Sequence, residues 1–259
     1  MLPILLSDTV TNDLARAVEL TLLWGLQGLE LRTVGGPDNR IPHVNEAAID
    51  ERLWEAELPC PAIAPSMFEG QVSARPVWLN ELAMFDETLR LASRLSSKLI
   101  VVSAFVREDP FDAEAALDAL RRAGDAAGNK GLQLAVLNEA PMAHPTGREL
   151  ADLLERVNHP AVGAAWSPVD AWQLGEPPTE GLSALIDRLL LVRCADGRMG
   201  KDGWQDTRLD EGEIGWKTLI RQLKAHDFEG PLSLEVYVEP RRKEGLHMAT
   251  RLIELIETA

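Results

Sequence analysis

The chain has 259 residues, 46% of them hydrophobic, with 41 acidic against 26 basic side chains and a formal charge of −15. That length can bury a full core in one domain, and the negative field repels nucleic-acid phosphates and anionic membrane surfaces, so neither is expected as a partner. No apolar run approaches the ~18 residues of a membrane span, and Cys60 and Cys194 form no C-x-x-C pair, so a cytoplasmic location with both thiols reduced and buried is expected.

The opening Met1-Leu-Pro-Ile-Leu-Leu-Ser7 lacks the basic start of a secretion signal, and Pro3–Ser7 reads as a first strand. Gly28–Arg32 and Ala62–Ser66 are the next strands; Trp24 and Trp54 lie in the helical stretches beside them and read as core. Lys98–Phe105 is the fourth strand. Asp112 ahead of Ala113-Glu-Ala-Ala-Leu117 has the look of a helix N-cap, and Gly128-Asn-Lys-Gly131 that of a helix stop. Leu132–Glu139, Val162–Ser167 and Leu189–Ala195 follow as strands. Gly197-Arg-Met-Gly-Lys-Asp-Gly203 fails as a phosphate loop because Lys201 is followed by Asp, and it reads as a mobile lid. Trp216, Leu219, Ile220 and Leu223 recur at i, i+3, i+4, i+7, as do Ala249, Leu252, Ile253 and Ile256, on either side of the last strand, Pro231–Tyr237. Eight strand–helix units at this length predict the α/β class and a single (β/α)8 TIM barrel over residues 1–259. An open doubly wound sheet fits less well, since no G-x-G-x-x-G follows the first strand.

A barrel carries its chemistry at the C-terminal ends of its strands. Those ends hold Glu139, Ser167, Arg193 and Glu235 on strands five to eight, with Glu30 on strand two. The loops add Asp170, Trp172, Asp196, Arg198, Lys201 and Trp204. Two unpaired carboxylates about 5 Å apart repel by about 3 kcal/mol at an effective dielectric of 20, so a metal, a shared proton or an arginine must offset the pair. Arg193 can do so by bridging Glu139 and Glu235 with paired hydrogen bonds. Trp172 and Trp204 suit stacking on a ring face, Arg198 and Lys201 suit an anionic group, and Asp170 reads as a loop hydrogen-bonder.

Leu137-Asn-Glu139, Val162-Gly-Ala-Ala-Trp-Ser-Pro-Val-Asp170, Arg188-Leu-Leu-Leu-Val-Arg-Cys-Ala-Asp196, Asp210-Glu-Gly-Glu-Ile-Gly-Trp216 and Gly230-Pro-Leu-Ser-Leu-Glu235 together resemble the xylose-isomerase-like TIM-barrel superfamily, the sugar-phosphate isomerases and epimerases with their inosose dehydratase and endonuclease IV relatives. The resemblance covers nearly the whole chain. It implies one divalent metal held by Glu, Asp, His and Glu from strands five to eight. Glu139 and Glu235 match the two glutamates, but Ser167 stands at the aspartate position and Arg193 at the histidine position, while Asp196 keeps the acid that trails it. Serine is a poor ligand for such an ion and arginine stays protonated. The expected cofactor is therefore none, or a weakly bound Mn or Mg held by Glu139, Glu235 and Asp170.

What the resemblance implies for function is a sugar or sugar-phosphate isomerase or epimerase, in which Glu139 and Glu235 move a proton next to a carbonyl and Arg193 steadies the charge that develops. A non-catalytic carbohydrate-binding or regulatory barrel is the alternative, and a lyase like inosose dehydratase a third. DNA repair is not expected, because that chemistry needs several zinc ions and none of the five histidines ends a predicted strand. The expected partner is a small sugar-like molecule, and the superfamily implies a homo-oligomer.

Overall fold

A computed structural model describes residues 1–36 and 39–259. Eight parallel strands close on themselves: β1 (Leu2–Leu6), β2 (Leu29–Leu31), β3 (Ala62–Ile63), β4 (Leu99–Val102), β5 (Gln133–Leu137), β6 (Val162–Trp166), β7 (Leu189–Cys194) and, eighth in the ring, β10 (Pro231–Leu234), with β8 (Asp196–Gly200) and β9 (Gly203–Thr207) forming a separate antiparallel hairpin. The ring order β1-β10-β7-β6-β5-β4-β3-β2 makes this a single (β/α)8 barrel. Its outer layer holds α1 (Leu14–Leu23), α2 (Glu46–Glu55), α3 (Arg75–Arg94), α4 (Ala113–Gly128), α5 (Gly147–Val157), α6 (Pro168–Gln173), α7 (Pro178–Leu185), α8 (Trp216–Ala225) and α9 (Arg241–Thr258).

Local chemistry accounts for the helix limits. Asp112 accepts the Ala115 N–H at 3.0 Å to start α4, which ends at Gly128, and Gly131 then turns the chain with φ +69°. Thr146 and Glu149 form a reciprocal capping box on α5. The spaced set Trp216, Leu219, Ile220 and Leu223 is fully buried on α8. In α9, Ala249 and Leu252 are buried while Ile253 and Ile256 are half-buried. Trp24 is buried as expected, but Trp54 is 84% exposed on α2 and belongs to no core. Helical spacing places a residue on a face without saying what covers that face, and the inward side of α2 is filled by Ile49 and Leu53.

Successive strand residues alternate between two environments. Leu29, Leu31, Leu134, Val136, Val192, Leu232 and Leu234 join the large core beneath the helices. Ala62, Ala64, Leu99, Val101, Ala135, Leu137, Ala165 and Leu191 form a second core inside the barrel. Small residues in that inner set, four of them alanines, leave room at the barrel's upper end. Continuing the alternation by two residues brings Ser103, Glu139, Ser167 and Arg193 to the mouth, and the same step gives Glu235 beyond Ser233. The strands stop short of the predicted limits here. Ser103 and Phe105 turn their N–H groups to Met67 and Phe68 instead of a ladder partner, and Phe105 has φ +64°. Strand ends thus become loop scaffold where the site begins.

Candidate active site

The mouth encloses a cavity of about 680 Å³, lined among others by Arg32, Arg40, Glu69, Glu139, Ser167, Asp170, Arg193, Trp204, Asp206, Glu235 and Tyr237. Leu137, Val106, Pro141, Met142 and Val169 supply an apolar wall. Glu139, Arg193 and Glu235 therefore share one space at the C-terminal end of the barrel.

Arg193 is 3% exposed. Its Nη1 donates to Glu235 Oε1 at 2.8 Å and its Nη2 to Glu30 Oε1 at 2.6 Å. Ser233, which faces Arg193 across the β7–β10 pairing, donates its hydroxyl to Glu30 Oε2 at 2.6 Å. Both Glu30 oxygens are thereby engaged, on a side chain with no solvent exposure. Tyr237 O–H donates to Glu235 Oε1 at 3.3 Å. Burial alone would lower the Arg193 pKa, but the adjacent Glu30 and Glu235 outweigh it and hold the group above its ordinary value. Arginine thus bridges Glu30 and Glu235 rather than Glu139 and Glu235. Register decides this: Glu30 lies on β2, joined through β1 to β10, and its carboxylate reaches Ser233 across the barrel interior.

Glu139 has a different environment. Its Oε2 accepts the Ser103 hydroxyl at 2.9 Å and it makes no ion pair among the described residues. Burial pushes its carboxyl above the usual range, opposed by the Ser103 bond and Arg193 and reinforced by Asp170. Asp170 is in the first turn of α6, not a loop. Ser167 caps that helix and donates to Asp170 Oδ2 at 2.6 Å, while Asp170 Oδ1 accepts the Ala140 N–H at 3.2 Å. Burial raises its pKa too.

The stretch expected as a lid loop is the hairpin β8–β9, in which Gly200 pairs with Gly203 around Lys201-Asp202. Gly203, at φ +106°, follows the two-residue turn and lets the chain enter β9. Trp204 of β9 lies across Gly197, where a Cβ would sit 2.2 Å from its ring, and its centroid is 5.5 Å from that of Trp172. Trp204 and Asp206 reach the cavity; Trp172, behind Trp204, does not line it. Arg198 and Lys201 are exposed on the hairpin and also do not line it. Asp196 is buried with its carboxylate turned away from the cavity into the backbone, accepting N–H groups of Gly197 (2.8 Å), Asp210 (2.9 Å), Gly212 (3.3 Å) and Ile214 (3.3 Å). That arrangement ties down the segment between the hairpin and α8.

The residues the sequence reading passed over are Arg32, Arg40, Glu69, Ser103, Asp206, Ser233 and Tyr237. Several follow an identified site or core position by two residues on a strand line: Arg32 after Glu30, Ser103 after Val101, Tyr237 after Glu235. Period-two continuation was the available signal.

A divalent ion does not suit this donor set. Glu235 already faces a fixed guanidinium that would repel a second cation, and both Asp170 oxygens are turned to Ser167 and the Ala140 N–H. Among the described residues no three His, Cys, Asp or Glu side chains are grouped as metal ligands would be. No helix of the described residues is long and apolar enough to cross a membrane.

The fold recurs in solved structures. A xylose isomerase-like TIM barrel/4-hydroxyphenylpyruvate dioxygenase fusion protein superposes with a TM-score of 0.81 at 20% identity over 98% of this chain, which spans 42% of that protein's length. D-Allulose 3-epimerase from Methylomonas sp., in complex with D-allulose, gives a TM-score of 0.79 at 16% identity over 98% of this chain and 96% of its own. A xylose isomerase-like TIM barrel protein from Mycobacterium smegmatis in complex with magnesium gives 0.73 at 16% identity over 93% and 87%. No curated protein sequence is significantly similar to this chain. The family model described as xylose isomerase-like TIM barrel matches residues 18–255. With that span and the closed barrel, the chain belongs to the xylose isomerase-like TIM barrel family.

Proposed function

We propose that this barrel moves a proton next to the carbonyl of a small polyhydroxylated compound, isomerising or epimerising it, with Glu139 and Glu235 as the acid/base pair and Arg193 as the fixed positive charge. The observation that carries the reading is the Arg193 clamp. Of the five N–H groups of a guanidinium, one on each terminal nitrogen is bonded to a glutamate, and the second on each makes no hydrogen bond among the described residues, while Nε is unpartnered there but closed off from the cavity. A buried, permanently charged group with donors to spare, lining a cavity beside two carboxyls, suits an enediolate oxygen forming in a water-poor site.

Glu139 supplies what a base for this chemistry needs. Its desolvation moves its pKa toward the operating range, where it can both take and return a proton. Glu235 stands across the guanidinium, with Oε1 held by Arg193 and Tyr237, and Oε2 free of hydrogen bonds among the described residues. Proton removal by one carboxyl and return by the other, on the same or a neighbouring carbon, yields an epimer or an isomer. The sugar-epimerase relative of this family supports the choice of substrate class. The test is a panel of ketoses and aldoses in deuterated water. Incorporation of deuterium next to the carbonyl, lost in Glu139→Gln, is expected; binding without exchange would replace this reading with a carbohydrate-binding barrel.

A further inference from the structure

We propose that the cavity selects substrates with a carboxylate at the end remote from the reacting carbon, as in a keto sugar acid, and that Arg32 is the residue that holds it. The inference rests on the proposed reading of the cavity as a site for small polyhydroxylated carbonyl compounds, and it adds the charge of the substrate.

Arg32 follows Glu30 by two residues on the line of β2 and lines the cavity. Its Nε donates to Asp8 Oδ2 at 2.8 Å. The Asp8 side chain is 7% exposed, so the anchor is a buried one, while that of Arg32 is 25% exposed. The two terminal nitrogens of Arg32 make no hydrogen bond among the described residues. A guanidinium fixed along one edge and open along the other is a planar fork matched to the two oxygens of a carboxylate. Tyr237 lines the same cavity, but its one O–H is given to Glu235 Oε1, so Arg32 is the donor that meets the carboxylate.

Position fixes which end of the substrate this is. Three steps around the ring separate β2 from β5, so Arg32 and Glu139 stand on different arcs of the mouth. A molecule with its reacting carbon at Glu139 and Arg193 extends its far end toward Arg32. A neutral hydroxyl there would use one N–H and leave the other donors desolvated without a partner. A phosphate would bring a charge of about −1.5 to −2 to a site whose two guanidiniums, Arg32 and Arg40, already face Asp8 and Glu69. One negative charge matches one fork.

Calorimetry on the full chain tests this with three matched arms: D-fructuronate and D-tagaturonate, D-fructose and D-tagatose, and the two ketose 6-phosphates. The ketouronates are expected to bind at least about tenfold, or about 1.4 kcal/mol, more tightly than the ketoses. Arg32→Gln should reduce that preference to less than about twofold. Because this change strands Asp8, Asp8→Asn/Arg32→Gln is measured beside it and should show the same loss with the fold intact. Equal binding of acids and ketoses by the wild type, no binding of either acid, tighter binding of the 6-phosphates, or a preference that survives in the double variant would each overturn the inference. Deuterium exchange on the bound compounds separates the two readings. Acid preference without exchange leaves Arg32 as the selector and removes the enzyme. Exchange on neutral ketoses as efficient as on the acids removes the selector and keeps the enzyme.

Discussion

Two arcs of the cavity floor carry the same side chains and treat them in opposite ways. On the arc built by β2, β7 and β10, Glu30 and Glu235 are closed onto the Arg193 guanidinium. On the arc that follows β4, β5 and β6, Glu139 and Asp170 accept, among the described residues, only the hydroxyls of Ser103 and Ser167 and the Ala140 N–H. Neutral donors offset desolvation incompletely, and both carboxyls are held above their ordinary range. The neighbour of each carboxyl thus sets how it is held: an arginine closes Glu30 and Glu235 into a fixed group, and neutral donors leave Glu139 and Asp170 favouring the protonated form.

The largest expected effect comes from breaking the first arc. Arg193→Met would leave Glu30 and Glu235 facing each other without their cation, at a cost of about 3–5 kcal/mol. For a chain of this size that lowers Tm by roughly 10 °C, measurable in a thermal melt. Adding Glu30→Gln and Glu235→Gln should recover a large part of the loss. A single-variant loss below about 1 kcal/mol in chemical denaturation would mean that the arc is not held by its ion pairs.

Glu30→Gln is the next step down. It keeps the shape and removes one charge-assisted bond, so a loss of about 1–3 kcal/mol is expected. Exchange turnover should fall while KM stays near its wild-type value, because Glu30 acts through Arg193. A raised KM with unchanged turnover would place Glu30 on the substrate instead.

The second arc should respond with the opposite sign. The folded chain favours the protonated form of Glu139, so the stability this group contributes is full below the ordinary carboxylate range and is lost as pH rises through its raised value. Glutamine imitates the protonated form at every pH. Glu139→Gln should therefore raise stability by about 1 kcal/mol at pH 8, add almost nothing at pH 4, and abolish proton exchange. Asp170→Asn should move the same way, because burial outweighs the Ser167 and Ala140 bonds that favour its charged form. Melts at the two pH values check both; destabilisation at pH 8 would equate the two arcs.

The barrel was legible because strand-length apolar runs and helical spacing alternate along the chain, and Glu139, Arg193 and Glu235 were legible because each ends such a run. What escaped was pairing. Nothing in the order of residues says that Arg193 reaches Glu30, some 160 positions earlier, since barrel closure brings β2 and β10 together through β1. Asp196 lies directly behind a site strand yet its carboxylate serves four backbone N–H groups, a role set by the path of the following loop. Trp54 shows the same limit outside the site, because periodicity describes a face without its cover.

In the proposed reaction Arg193 supplies, as a fixed side-chain charge, the electrostatic help that proton transfer needs. Deuterium incorporation into a ketose and ketouronate panel, in chelator-treated buffer with and without added Mn²⁺, tests it most directly. The expected result is incorporation next to the carbonyl in chelated buffer, unchanged by Mn²⁺ and lost in Glu139→Gln. Incorporation that begins only when Mn²⁺ is added, or none under either condition, would contradict the claim.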